Sequence, residues 1–363
     1  MSRKVLKEAL TNRGVRVVNM KALVKYDKGI GRMEIRELPV PEPNYGEALI
    51  RVEDCGICGT DIKIYNDEFN YYPPVIVGHE FSGIIAKLGE GVKGWNIGDR
   101  VVSEQHTKAC GVCCYCLTGN RHLCPEKRSP GYGVDGAFTE YIKVPVTLLH
   151  SIPEGVSFEE AALIEPMAVA AYGILDKTGI KPEDRVVILG CGPIAILALQ
   201  MIKTEGASQV IMTGLDIDEK VRFPIAEALG ADVLINVQKK DPVKIVMELT
   251  NGIGADVVVD LSGAPKAIVQ GFDMLKRDGR FCALGLTHHE ISIPWMKLAM
   301  KAANIHFSFS SNYINWQRCL SMIRNGKVKL EQYTKDIYPL AKWEEAFEKA
   351  KSGESLKVII KCN

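Results

Sequence analysis

No charge of either sign predominates in this 363-residue chain: 45 Lys plus Arg face 44 Asp plus Glu, a formal net charge of +1. That balance removes the basic footprint on which nucleic-acid and anionic-lipid binding depend. No nucleic acid and no membrane is expected as a partner, and a small neutral or mixed-charge ligand is. Long apolar runs are missing too, since no stretch approaches the roughly 18 apolar residues that a membrane helix needs. The start, MSRKVLKEALTNRGVRVV, lacks an apolar run followed by a small-residue cleavage site. A cytoplasmic protein is therefore expected. Cysteine, by contrast, is plentiful and uneven. Five of the eleven fall between Cys110 and Cys124, where a disulfide framework would spread them along the chain. Clustered thiols in a reducing compartment point to metal.

At this length two domains are expected, each burying its own core. Residues 1–19 read as a polar, positively charged extension, and MKALVKYD from Met20 as the first strand. From Met20 to about Val146, strand-like runs (EALIRVED, SGIIAKLG, DRVVSE, FTEYIKV) alternate with Gly, Pro and Asp turns. This is the pattern of an antiparallel, barrel-like domain whose loops carry function. From about Asp184 apolar runs bounded by glycine alternate with helical periodicity: RVVILG, PIAILALQMIKTEG, SQVIMTG, ADVVVDLSG, PKAIVQGFDMLKRDG, RFCALG. Such a sequence builds a doubly wound parallel sheet with helices on both faces. After about Asn304 the pattern is mixed, and LKVIIKCN reads as a strand returning to the first domain. A chain that leaves a domain and comes back places a cleft between the two.

The run from Val186 to Ala195 is a strand, then G-x-G-x-x-A, then a helix. Gly190 permits the tight turn, Gly192 lets the backbone approach a pyrophosphate, and Ala195 allows helix and strand to pack closely. Gly190, Gly192, Pro193 and Ile194 are thus candidate dinucleotide-binding residues. The fingerprint expects a ribose-binding acid about 20 residues on. Here the second strand ends in Gly214, and the first acids follow at Asp216 and Asp218, with Lys220 and Arg222 close behind. Asp216 is the candidate for the ribose, which favours NAD. Arg222 is the candidate for a 2′-phosphate, which would admit NADP.

Two groups have metal-ligand chemistry. Cys110-x2-Cys113-x2-Cys116-x7-Cys124 supplies four thiolates in one loop, enough to close a tetrahedral zinc shell that stabilises the fold. Iron–sulfur proteins share the C-x2-C-x2-C run, but their last gap is three residues and here it is seven. Cys114 is surplus to the spacing. The second group is scattered: Cys58 in CGICGTD, His79 and Glu80 in GHE, and Glu165 in LIEP. One thiolate, one imidazole and one or two carboxylates suit a zinc with an open position.

GHEFSGIIAKLGEGV, with Gly83, Gly89 and Val92 in place, resembles the signature of the zinc-containing alcohol dehydrogenases of the medium-chain dehydrogenase/reductase superfamily. Cys58-Gly59-Thr60-Asp61, GDRV, the four-cysteine lobe, LIEP and G-x-G-P-I follow in that family's order from Met20 to Asn363. The sorbitol (polyol) and threonine dehydrogenase branch is the most similar, because Glu165 stands where other members place a second cysteine. The resemblance implies an α/β chain: a GroES-like β-barrel catalytic domain at 20–164 and 305–363, and a Rossmann domain at 165–304. It implies two zinc ions, an NAD(P) cofactor, a small alcohol or ketone substrate, and a homodimer or homotetramer. Cys58 and His79 would bind the catalytic zinc, with Glu80 a resting ligand and Glu165 binding zinc or its water. Thr60 would pass the alcohol's proton outward, and Asp61 would orient the zinc-bound imidazole.

Two departures bear on substrate. Lys63 replaces the histidine that many relatives place three residues after the relay hydroxyl. Where polyol dehydrogenases often show Arg-Tyr, this chain reads Phe309-Ser310-Ser311-Asn312, which offers neutral hydrogen bonding and no evident cation, Lys63 being the candidate to supply that charge. A polyol, cyclitol or vicinal diol is expected, with L-threonine as the alternative. Two rivals remain: a zinc-ribbon binding module, which leaves Cys58, His79 and the nucleotide turn unexplained, and a metal-free reductase, whose kind commonly lacks the cysteine lobe and GHE.

Overall fold

The computed structural model describes residues 18–363. The expected extension at 1–19 lies outside the described residues except for Val18 and Asn19. The first part of the chain contributes β1 (Asn19–Lys25), β2 (Met33–Pro39), β3 (Glu47–Gly56), β4 (Val75–Ile76), β5 (Glu80–Leu88), β6 (Arg100–Ser103), β7 (Tyr141–Pro145) and β8 (Leu149–Ser151). The second contributes β9 (Arg185–Leu189), β10 (Gln209–Gly214), β11 (Val233–Asn236), β12 (Ala255–Asp260), β13 (Leu275–Ala283) and β14 (Asn304–Phe307). The chain then returns with β15 (Asp336–Pro339) and β16 (Val358–Lys361).

One small sheet runs β2-β1-β4; a larger one runs β15-β16-β3-β5-β6-β8, with β7 also on β3. β16 pairs antiparallel with β3, Ile360 opposite Cys55, so LKVIIKCN does return to the first part. β9 to β14 form a six-stranded sheet, ordered β11-β10-β9-β12-β13-β14, in which every pairing is parallel. Its central strands are fully enclosed: Val186, Val187 and Ile188 on β9 are all inaccessible, as a sheet covered by helices on both faces requires. The order reverses between β9 and β12, and this switch point opens a crevice beyond the strands' carboxyl ends.

The expected domain boundaries fall at structural joints of a different kind. The boundary at 164/165 lies in the first turn of the helix Ile164–Ala171, and that at 304/305 lies at the start of β14. No apolar run marks β14, because its NIHF carries only half-buried and exposed residues on a sheet edge. One core joins Leu163 and Met167, Val186 and Ile188, and Trp316 of the helix Tyr313–Arg324. The helix Ile164–Ala171 thus packs against both the second sheet and the returning chain, fixing Glu165 at the cleft.

Candidate active site

Cys58, His79 and Glu80 each present a ligand atom within 4.8 Å of the others. Cys58 precedes the helix Gly59–Tyr65 on extended backbone, and its N–H donates to Asp61 Oδ2 at 2.8 Å. That bond locks the start of the helix and fixes where the thiol points. His79 lies just before β5, which Glu80 opens, and follows Gly78, whose φ of +90° suits only glycine; a Cβ there would lie 2.8 Å from the Phe138 ring. Glu165 stands outside this tight group but lines the same cavity of about 310 Å³, together with Thr60 and Lys63.

The electrostatics of the group are unbalanced toward negative charge. Burial, reinforced by the Glu80 carboxylate, pushes the Cys58 thiol well above its ordinary range. Burial also pushes the Glu165 carboxyl up to about 8, against the pull of His79 and with a further push from Glu80. Asp61 is raised by burial, opposed by His79. Asp61 Oδ1 and His79 Nδ1 face each other at 3.6 Å, and neither has a hydrogen-bond partner among the described residues. A thiol and carboxylates buried around one imidazole carry a desolvation cost that a divalent cation relieves. The donor set therefore fits zinc.

Opposite the ligand group, the buried Lys357 contacts Glu80 Oε2. The Glu80 carboxylate holds this ammonium above its ordinary pKa although burial works the other way. Nothing in the sequence flagged Lys357, a lone lysine just ahead of β16.

Cys110, Cys113, Cys116 and Cys124 also present their sulfurs within 4.8 Å of one another. The Cys113 N–H donates to Cys110 Sγ at 3.3 Å and the Cys110 N–H to Cys124 Sγ at 3.4 Å, bonds typical of sulfurs carrying negative charge. Backbone N–H groups of Val112 and Cys113 draw the Cys110 thiol down to about 7. Cys116 is pushed up to about 12 by burial, partly opposed by the Gly111 N–H. Four sulfurs that cannot all ionise unaided suit a closed zinc shell. Cys114 begins the short helix Cys114–Leu117 and stays exposed, outside the group.

At the switch point Gly190 has a φ of +106°, and its N–H donates to Thr213 Oγ1 at 3.1 Å. Gly192 caps the helix Pro193–Thr204, with Pro193 in its first turn, and no atom lies within 4 Å of where a Cβ on Gly192 would stand. Helix N–H groups and the absent side chain form a cradle for a pyrophosphate. Ile194 faces the metal-type cavity.

Asp216 is exposed, and its carboxylate accepts from Asn236 Nδ2 at 2.7 Å with Lys239 Nζ at 3.4 Å. Arg222 is engaged inside the protein, donating to Asp218 Oδ1 at 2.9 Å and to the Ser355 carbonyl at 3.2 Å. Asp218 Oδ2 lies 2.9 Å from where a Cβ on Gly214 would stand. A carboxylate from four residues on thus fills the strand-end position that Gly214 leaves vacant of side chain.

The loop after β14 also departs from the reading of its sequence. Ser310 lines the cavity, but Ser311 is buried and accepts from Trp316 Nε1 at 3.0 Å, while Asn312 caps the helix Tyr313–Arg324. The absence of a cation is corrected: Lys127 Nζ donates to Ser310 Oγ at 2.8 Å, and Lys127 lines the cavity. Lys127 comes from the exit of the cysteine lobe, 183 residues away, so no local pattern could reveal the pairing.

Comparison with known proteins agrees with this geometry. Residues 44–154 match the family described as alcohol dehydrogenase GroES-like domain, and residues 193–325 match zinc-binding dehydrogenase. A sorbitol dehydrogenase from Halalkalibacterium halodurans is 40% identical, over 94% of this chain and 99% of its own. A D-arabitol-phosphate dehydrogenase from Enterococcus avium is 34% identical, over 95% and 98%. Among solved structures, a 2R,3R-butanediol dehydrogenase from Bacillus subtilis superposes with a TM-score of 0.84 at 27% identity, covering 95% of this chain and all of that one. The chain belongs to the zinc-containing medium-chain alcohol dehydrogenase family, and it is a zinc-dependent NAD(P)-linked oxidoreductase.

Proposed function

We propose that this enzyme oxidises a secondary hydroxyl flanked by a second oxygen-bearing carbon, in a sugar alcohol, cyclitol or vicinal diol, and reduces the matching ketone. The observation that carries this reading is the wall of the cavity beyond the Cys58, His79 and Glu80 group. Glu165, Ser262 and Ser308 line it. An apolar alcohol would leave the Glu165 carboxyl and the unpartnered Ser308 hydroxyl unpaired at about 1–3 kcal/mol each, whereas a substrate rich in oxygen satisfies them. The sorbitol and butanediol dehydrogenases among the relatives support it.

Cys58 and His79 would hold a zinc whose Lewis acidity would lower the alcohol's pKa, and the nicotinamide dinucleotide would supply the hydride acceptor. The protein's own groups prepare that event. Asp61 faces His79 Nδ1 and so presents Nε2 to the metal side. Lys357 pairs with Glu80 and offsets its buried charge. Thr60 at the cavity wall takes the hydroxyl proton outward. Cys110, Cys113, Cys116 and Cys124 would hold the second zinc, and four thiolates would leave it no place for substrate.

Gly190, Gly192, Pro193 and Ile194 hold the dinucleotide, and the exposed Asp216 carboxylate is offered to the adenosine ribose while Arg222 is held inside by Asp218, which favours NAD. A reducing compartment such as the cytoplasm belongs to the same reading, since all eleven cysteines are free thiols.

The test is a panel of polyols, vicinal diols, simple secondary alcohols and L-threonine with each cofactor, followed by nicotinamide absorbance. Polyols or diols with NAD should give the highest kcat/KM. A decisive preference for a simple apolar alcohol would sink the substrate reading; a decisive preference for NADP would sink the role of Asp216.

A further inference from the structure

Lys127 has no task in the chemistry described so far. It is largely enclosed, yet no ion pair of Lys127 occurs among the described residues. Ser310 Oγ at 2.8 Å and the Phe309 ring at 4.9 Å are its contacts. Burial draws its ammonium down to about 8, with Glu165 pulling the other way, so the charge is held there at a cost. Two further observations concern the same wall. Ser308 Oγ is buried without a hydrogen-bond partner. Ser310 adopts a φ of +63°, a left-handed conformation that a serine holds only where its surroundings impose it. Both serines follow directly from the carboxyl end of β14, on the crevice side of the parallel sheet, where ligands of such folds bind.

An ammonium has three donors, and here one is used. A neutral polyol offers it dipoles only. An oxyanion supplies the missing charge and accepts from the ammonium and from both hydroxyls, in charge-assisted bonds roughly twice as strong as neutral ones. Lys63, on the same cavity with its Nζ 3.5 Å from the Leu286 carbonyl, adds a second cation at the rim.

We propose that the substrate carries an oxyanion on the same molecule as the secondary alcohol, a phosphate monoester or a carboxylate, and that Lys127 with Ser308 and Ser310 binds it. This rests on the reading above, in which the carbinol carbon sits at the Cys58 and His79 end of the cavity. Lys127 is then the residue that determines specificity between charged and uncharged alcohols, and it takes no part in hydride or proton transfer.

The experiment compares matched pairs on the zinc-loaded, full-length enzyme: a pentitol or hexitol against its terminal phosphate, and a hexitol against the matching aldonate. In one pair the charged member should exceed the uncharged by at least about 10-fold in kcat/KM, and that pair identifies the oxyanion. Lys127→Met should bring the ratio close to 1, chiefly by raising KM for the charged member while kcat and the uncharged member change little. Lys127→Arg, which keeps the charge, should retain most of the preference and guards against misfolding of the methionine variant. A ratio near 1 in both wild-type pairs, with the neutral polyol well oxidised, overturns this proposal and leaves the polyol reading standing. An equal loss on both members in Lys127→Met also overturns it, because the lysine would then serve Glu165 or the metal group. If the wild type oxidises neither the polyols nor their charged derivatives, the proposed function fails and this inference with it.

Discussion

Asp54, on β3, shows how much a single residue can couple to pH in this protein. Its side chain is buried, Oδ1 has no hydrogen-bond partner, and burial together with the charge of Glu159 pushes its carboxyl from 3.8 up to about 7. The folded state therefore binds this proton more tightly than the unfolded chain does. The sign follows from linkage: the favourable contribution is complete below about pH 4 and is lost as pH rises toward 7, after which the folded protein holds an unfavourable buried charge. Asp54→Asn removes the penalty without changing shape. Its Tm should exceed that of the wild type by about 2–4 °C at pH 8 and match it near pH 4.5, measured by scanning calorimetry. An equal gain at both pH values would show that the charge is not the cause.

Among the elements, the cysteine lobe and the Cys58 loop make contrasting metal sites. The lobe is a loop with one short helix, and its four sulfurs face inward to each other; the Cys58 group lines a cavity that admits substrate. Elemental analysis should give about two zinc ions per chain. Cys110→Ser should lose one zinc and lower Tm by several degrees, because a structural site contributes folding energy. Cys58→Ala should lose the other zinc and at least about 1,000-fold in kcat while the far-ultraviolet spectrum is kept. Near-normal turnover in Cys58→Ala would sink the catalytic assignment. The spacing of the lobe was legible because its ligands are local in sequence, as were the strand, turn and helix at Gly190. The partners brought in from afar were not. Lys357, Lys127 and the carboxylate of Asp218 folded back over Gly214 are single residues on loops or strand starts, and only tertiary packing gives them meaning. The same limit explains β14 and the Ser311 and Asn312 side chains. A short edge strand has no apolar run, and the two residues after Ser310 turn away to hydrogen-bond and cap the following helix.

At the scale of the whole molecule, the parallel sheet ends in an unprotected edge. β14 pairs with β13 on one side only, and Phe307 at its end is 80% exposed. The neighbouring helix Trp295–Lys301 shows Trp295 and Met296 to solvent, and no gatekeeping lysine or proline interrupts β14 itself. An edge of this kind, free to pair and flanked by large apolar side chains, is the surface that proteins otherwise blunt or cover. A second copy related by a two-fold axis covers it best, since an isologous contact lays edge against edge and apolar helix against apolar helix and then closes. The expected assembly is a homodimer at the least, with twice the 40.0 kDa chain mass by light scattering at micromolar concentration. Met296→Glu combined with Phe307→Lys should shift that mass to the monomer while zinc content stays at the wild-type level. A wild-type protein that remains monomeric, or a double variant with unchanged mass, would place the assembly surface elsewhere. Because β14 leads straight into Ser308 and Ser310, pairing across this edge would also steady the loop that faces Lys127. The monomeric variant should therefore raise KM for the substrate more than it lowers kcat, a split measurable in the same assay.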